Sequence, residues 1–197
     1  MTGADPSRRS APGAARRPRA VLVGPPGAGK STVGALLSEC LGVTFRDTDA
    51  DVEALAGCTI TDLFVERGEP VFRELERAAV VSALAGHDGV LSLGGGAVMD
   101  PLTELDLRDH AVVFLDVTLT DAARRVGLNR DRPLLVGNPR ARWKQLMDAR
   151  RPVYERVATL VVSTDERTPA EVVEAVVEGL GLVRAGVTEP GPEEEYS

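Results

Sequence analysis

Short apolar runs alternate with longer amphipathic stretches along most of this chain. Five runs rich in Val or Leu, each closed by a turn residue or a charge, predict strands at Ala20–Val23, Val43–Arg46, Gly89–Leu93, Ala111–Asp116 and Thr159–Ser163. The stretches between them predict helices at Thr32–Leu41, Asp51–Leu55, Ile60–Gly68, Glu69–Ala85, Asp121–Gly127, Pro139–Tyr154 and Pro169–Leu180. Strands that alternate with helices predict an α/β fold, a parallel sheet covered on both faces. Ligands of such sheets sit beyond the carboxyl ends of the strands. The segment Arg124–Pro139 is rich in Arg and Gly and only weakly periodic, so it reads as a mobile loop.

Composition narrows the class. The chain has 197 residues, enough for one domain with a substantial core, and a net charge of −7. That charge offers no overall basic surface for nucleic acid or anionic lipid. No apolar run approaches membrane-spanning length. Cys40 and Cys58 are in no metal-ligand spacing and read as reduced thiols, which suits a cytoplasmic protein. Residues 1–18 read as a disordered basic arm, 19–184 as the folded domain and 185–197 as an acidic flexible tail.

The first strand runs into Gly24-Pro25-Pro26-Gly27-Ala28-Gly29-Lys30-Ser31, followed by Thr32 and a helix. Strand, glycine-rich loop and helix are the setting of a P-loop. Backbone N–H groups of Gly27, Ala28 and Gly29 can surround phosphate oxygens at a helix N-terminus. Lys30 can reach the outer phosphates, and the Ser31 hydroxyl can hold Mg²⁺. The loop indicates a nucleoside triphosphate and leaves the phosphate acceptor open.

Phosphoryl transfer needs charge neutralisation, an aligned acceptor and exclusion of water. Asp47 and Asp49 lie two apart at the end of the second strand, and extended geometry puts them on one face. One can serve the Mg²⁺ waters and the other an acceptor hydroxyl; equally, Asp49 or Asp51 can cap the next helix. Val112-Val113-Phe114-Leu115-Asp116 has the pattern of a Walker-B strand. The run ending at Ser92 is nonetheless the better neighbour for the P-loop strand, which places Asp116 on a more distant strand as a turn or cap residue. Gly94-Gly95-Gly96 can expose main-chain N–H groups to a small polar ligand. Arg73, Arg132 and Arg150 carry forks suited to a carboxylate, although Arg73 also has ion-pair partners at Glu76 and Glu69. His87 and His110 are assigned no chemistry.

Taken together the chain resembles the shikimate kinase family from about Arg19 to Leu182. The resemblance is carried by Gly-Pro-Pro-Gly-Ala-Gly-Lys-Ser-Thr at 24–32, Asp-Thr-Asp at 47–49 and Phe-Arg-Glu-Leu-Glu at 72–76. Leu-Gly-Gly-Gly-Ala at 93–97, Arg-Pro-Leu-Leu at 132–135 and Arg-x-Pro-x-Tyr at 150–154 complete it. It implies a five-stranded parallel sheet flanked by helices, with a small helical substrate-binding region and a mobile lid near 127–138. It implies transfer of the γ-phosphate of ATP to the 3-hydroxyl of shikimate, with Mg²⁺, in aromatic amino acid biosynthesis. Asp49 would meet the shikimate hydroxyls and serve as the favoured base, Arg73 and Arg150 would bind the carboxylate, and Gly95 with its neighbours Gly94 and Gly96 would contact the substrate. Asp47 and Ser92 would support Mg²⁺ through water. Arg132 would reach the phosphates from the lid, and Arg125 and Arg167 would flank the adenine. The chain is expected to act as a monomer on small molecules, without nucleic acid or membrane partners. A kinase of another polyol such as gluconate, and a non-catalytic nucleotide switch, remain as other readings.

Overall fold

The computed structural model describes residues 17–126 and 139–186. Five strands, β1 (Ala20–Val23), β2 (Phe45–Asp47), β3 (Val90–Ser92), β4 (Val112–Asp116) and β5 (Leu160–Ser163), form one parallel sheet in the order β2-β3-β1-β4-β5. Every pairing is parallel; Leu22 of β1, for example, lies in register with Ser92 on one side and Val113 on the other. The expected sheet is therefore present, but the expected place of β4 is corrected. It pairs directly with β1, so the strand ending in Asp116 is a neighbour of the P-loop strand rather than a distant one. Periodicity reports which face a residue occupies; strand order depends on how the connecting helices cross over, which periodicity does not report.

The sheet is covered on both faces. On one, Leu22, Val113 and Leu115 pack with Val33 and Leu37 of α1 (Lys30–Leu41) and with Val172 and Val176 of α7 (Pro169–Leu180). On the other, Val21, Val23, Leu91 and Phe114 pack with Val80 and Ala83 of α3 (Ile60–Gly86) and with Met147 and Tyr154 of α6 (Pro139–Val157). All four residues of β1 are buried, so this strand reads as a continuous apolar run without alternation. Each such Leu or Val contributes about 1.5–3 kcal/mol on burial. A third cluster, Val52, Leu63, Phe72 and Ala79, joins α2 (Thr48–Ala56) to α3 beside the sheet.

Three local features differ from the expectation or extend it. The two helices expected at 60–68 and 69–85 form α3, broken at Gly68, where φ is 80° and ψ 169°. Pro70 follows closely and lacks the N–H that a continuous helix would need. Between β3 and β4 the chain forms single 3₁₀ turns at Ala97–Met99 and Leu107–Asp109 flanking α4 (Pro101–Asp106), where no helix was expected. Its signal is local: Asp100 caps it by accepting from Leu102 N–H, and Pro101 fills the first helical position. Arg124 and Arg125 belong to α5 (Leu119–Val126), in line with the helix expected at 121–127 and not with the loop read from Arg124 onward. The expected lid, 127–138, lies outside the described residues, as do the first 16 residues and 187–197. Arg17 and Ala185 extend the bonded fold slightly past the expected domain limits, through bonds to Asp109 O and Cys40 O.

Gly89 shows how tightly the strand ends approach. A Cβ there would lie 2.0 Å from the backbone oxygen of Thr44, which cannot swing aside as a side chain could. Gly89→Ala is expected to lower stability by about 3 kcal/mol in a urea titration.

Candidate active site

The carboxyl ends of β1, β2 and β3 bring the candidate residues together. Gly24, Gly27 and Gly29 all have positive φ, which carries the loop from β1 around to the N-terminus of α1. Lys30 opens that helix, and its ammonium group donates to Gly24 O at 2.9 Å and Pro25 O at 3.4 Å. The loop thus folds over its own lysine. Burial lowers the pKa of Lys30, while the neighbouring Asp49 and Asp47 pull it back up. Pro26, Gly27, Gly29, Lys30, Ser31, Thr32 and Arg125 line a cleft of about 430 Å³. Its scale suits the phosphates of a nucleotide.

The two aspartates meet in a different geometry from the extended one expected. Asp47 ends β2 and caps α2, accepting from Asp49 N–H at 3.0 Å; Asp49 already lies in the first helical turn. The cap is Asp47, and neither Asp49 nor Asp51 serves as one. The other oxygen of Asp47 accepts from the Ser31 hydroxyl at 2.9 Å. Burial raises the pKa of Asp49 to about 6, helped by Asp47 and Glu76 and opposed by Lys30. A carboxylate tuned into this range is suited to taking a proton near neutral pH.

The Gly94–Gly96 run is hemmed in on every side, which explains three glycines in steric terms. A Cβ on Gly94 would lie 2.4 Å from Asp49 Oδ1 and 2.9 Å from Glu76 Oε1. One on Gly95 would lie 3.3 Å from Pro26 Cδ, and one on Gly96 2.6 Å from Arg73 Nη1. The buried Thr48 hydroxyl accepts from Gly94 N–H at 3.0 Å and ties the run to α2. Arg150 Nη1 donates to Gly95 O at 2.9 Å. The glycines, Asp49, Arg73 and Arg150 are therefore assembled around one point.

Arg73 engages both of its expected partners at once. Nη1 donates to Glu76 at 2.7 Å, and Nη2 and Nε donate to Glu69 at 2.9 and 3.2 Å. Glu76 is almost wholly buried, whereas Glu69 is exposed. An incoming carboxylate can displace the exposed, weakly held Glu69 and leave the buried pair intact. Arg73, Glu76 and Gly96 also border a cleft of about 610 Å³ that extends toward Met99 and Leu102.

The remaining candidates fall around this centre. Arg125 donates to Gly27 O at 3.3 Å and to Thr164 Oγ1 and O at 2.9 and 2.5 Å, which fixes it between the P-loop and the loop after β5. Arg167 is exposed in that loop and does not line the phosphate cleft. Ser92 is buried, and its hydroxyl has no partner among the described residues. Asp116 accepts from Arg151 Nη2 at 2.5 Å, an ion pair with α6 that accounts for its carboxylate without a metal. Arg132 lies outside the described residues. Trp143 was missed in the sequence; its indole N–H donates to Pro26 O at 3.4 Å, and no motif marks it. Thr48 and Glu76 were visible only as members of motifs read for their neighbours.

A glycine-rich loop at the end of the central strand, with a lysine, a serine and two carboxylates at its mouth, defines a P-loop kinase fold. Comparison with known proteins refines that class. The sequence model of the family described as shikimate kinase matches residues 26–181. The shikimate kinase of Streptomyces avermitilis is 55% identical over 168 residues, covering 85% of this chain and 98% of its own. That of Thermobifida fusca is 56% identical over 164 residues, covering 83% and 95%. Among solved structures, the shikimate kinase of Acinetobacter baumannii in complex with shikimate superposes with a TM-score of 0.76 at 32% identity, covering 83% of this chain and 93% of that one. The chain belongs to the shikimate kinase family.

Proposed function

We propose that this protein transfers the γ-phosphate of ATP to the 3-hydroxyl of shikimate, yielding ADP and shikimate 3-phosphate, in aromatic amino acid biosynthesis. The observation that carries the reading is the meeting of two half-sites at Gly94–Gly96. Lys30, Ser31 and Asp47 form a phosphate and metal end, and Asp49, Arg73 and Arg150 form an acceptor end, in a chain of this family. Triphosphate oxygens lie along the main-chain N–H groups of Gly27, Ala28, Gly29, Lys30, Ser31 and Thr32. Arg125, with Arg167 on the facing loop, frames the nucleotide's base. Arg73 and Arg150 hold the ring carboxylate, with main-chain donors of Gly95 and its neighbours beside them. Asp49 orients the 3-hydroxyl and accepts its proton as the phosphorus–oxygen bond forms. Lys30 stabilises charge on the transferring group.

The residues present fit Mg²⁺. The Ser31 hydroxyl and Asp47 carboxylate lie 2.9 Å apart at the loop, and the orphaned Ser92 hydroxyl on the adjoining strand is a ready hydrogen-bond partner for a metal-bound water. Bound there, Mg²⁺ would neutralise phosphate charge. The reading of 127–138 as a lid carrying Arg132, and of 19–184 as the catalytic unit, rests on the family resemblance. No helix among the described residues is long and apolar enough to cross a membrane. All the groups invoked come from one chain, which fits a monomer working in the cytoplasm on small molecules.

Arg73→Ala tests the acceptor half. The KM for shikimate is expected to rise about 100-fold while that for ATP changes less than about threefold. The substitution also leaves buried Glu76 without its cation. Thermal unfolding should therefore be followed beside the kinetics, with Arg73→Lys as the variant that keeps the charge but loses the fork. An unchanged KM for shikimate in Arg73→Ala would contradict the assignment.

A further inference from the structure

Gly95 and Gly96 share a peptide whose orientation decides what the acceptor pocket offers. A trans peptide points its C=O and the next N–H in opposite directions. Whatever holds Gly95 O on one side therefore aims Gly96 N–H to the other, and that N–H bonds no acceptor among the described residues. Two glycines in succession give this peptide little resistance to rotation, so its orientation must be imposed from outside.

Two donors impose it. Arg150 Nη1 reaches Gly95 O at 2.9 Å, and Tyr154 Oη reaches the same oxygen at 2.5 Å. Both come from α6, one helical turn apart. They differ in what else they can do. Arg150 is partly exposed and, in the proposed site, also serves the incoming carboxylate, which draws its guanidinium away from Gly95 O. Tyr154 is wholly buried, stacked on Phe114 at 5.0 Å between ring centres, and has no freedom to leave. Phe114 is covered in turn by the guanidinium of Arg151, 5.8 Å from its ring centre and paired with Asp116.

We infer that Tyr154 is a positioning residue for substrate binding. It keeps Gly95 O satisfied when Arg150 turns to the substrate carboxylate, and so keeps Gly96 N–H presented to the acceptor pocket. Without its hydroxyl, Gly95 O is held by Arg150 Nη1 alone, so the glycine carbonyl and the substrate carboxylate compete for the orientation of one guanidinium, and a partly buried acceptor left unpaired is costly. The phenol does not touch the substrate and takes no part in the chemistry. The inference rests on the proposed acceptor site.

Tyr154→Phe removes one oxygen and keeps the stacked ring. Steady-state kinetics are expected to show the KM for shikimate raised about tenfold, with the KM for ATP and kcat within about twofold of the wild type. Calorimetric titration of shikimate into the nucleotide-free protein should show the same loss of affinity. A simple packing defect would lower the melting temperature without separating the two substrates. Equal KM values in variant and wild type, or parallel rises for both substrates, overturn the inference. A wild-type protein inactive with shikimate would overturn the proposed function itself, so the two failures are distinguishable.

Discussion

Lys30→Ala is expected to reduce kcat by at least about 1,000-fold while leaving the circular dichroism spectrum unchanged. In the proposed reaction the ammonium group meets the transferring phosphoryl group where it develops charge, in a site already partly shielded from water. An ion held there acts at lower effective dielectric and needs no reorganisation during the reaction. A second effect adds to the first. Lys30 is the cation that restrains the upward shift of the Asp49 pKa, so its removal pushes that pKa higher and depletes the proton acceptor at neutral pH. The fold should survive, because among the described residues Lys30 bonds only loop carbonyls that can turn to water. Single-turnover measurements at saturating substrates check the result, and a kcat within tenfold of the wild type would remove Lys30 from the machinery.

Asp49→Asn is expected to lower kcat by about 100- to 10,000-fold with a much smaller change in shikimate affinity. Asparagine keeps a hydrogen-bonding oxygen beside the acceptor hydroxyl but cannot take its proton. The same residue is expected to set the pH dependence of the wild type. Asp49 titrates at about 6 in the free protein, because burial and the charges of Asp47 and Glu76 disfavour its ionised form. Only that ionised form can accept a proton, so activity is present above this value and lost below it. A plot of kcat/KM for shikimate should fall about tenfold per pH unit on the acid side. In Asp49→Asn that acid limb should be absent. An acid limb that persists in the variant would assign the titration to another group.

The main features of this architecture were legible in the sequence because its strands are short, apolar and closed by turn signals. The P-loop stands out because its glycines, lysine and serine occur between a strand and a helix. What escaped was set by tertiary geometry. Whether β4 lies beside β1 depends on how the intervening segments cross the sheet, and Asp116 could not be placed before that was known. Asp47 and Asp49 were brought to one site for the wrong geometric reason, since capping by Asp47 starts the helix at Thr48, three residues before the expected Asp51. The short helix α4 has too few residues to show periodicity, although its Asp-Pro start was visible. Glu76 and Tyr154 act through a neighbour, Arg73 in one case and Gly95 in the other, and only coordinates reveal such a dependence. The pairing of Arg73 with both Glu69 and Glu76 gives it a structural role beside the binding role proposed for it.

The central claim concerns which molecule receives the phosphate. The most direct measurement is ADP release by the purified full chain with Mg²⁺ and ATP, in parallel with shikimate, with gluconate and with no acceptor. ADP formed stoichiometrically with shikimate 3-phosphate, and only when shikimate is present, is the predicted result. ADP released with gluconate but not shikimate, or none released with any acceptor, would contradict the account.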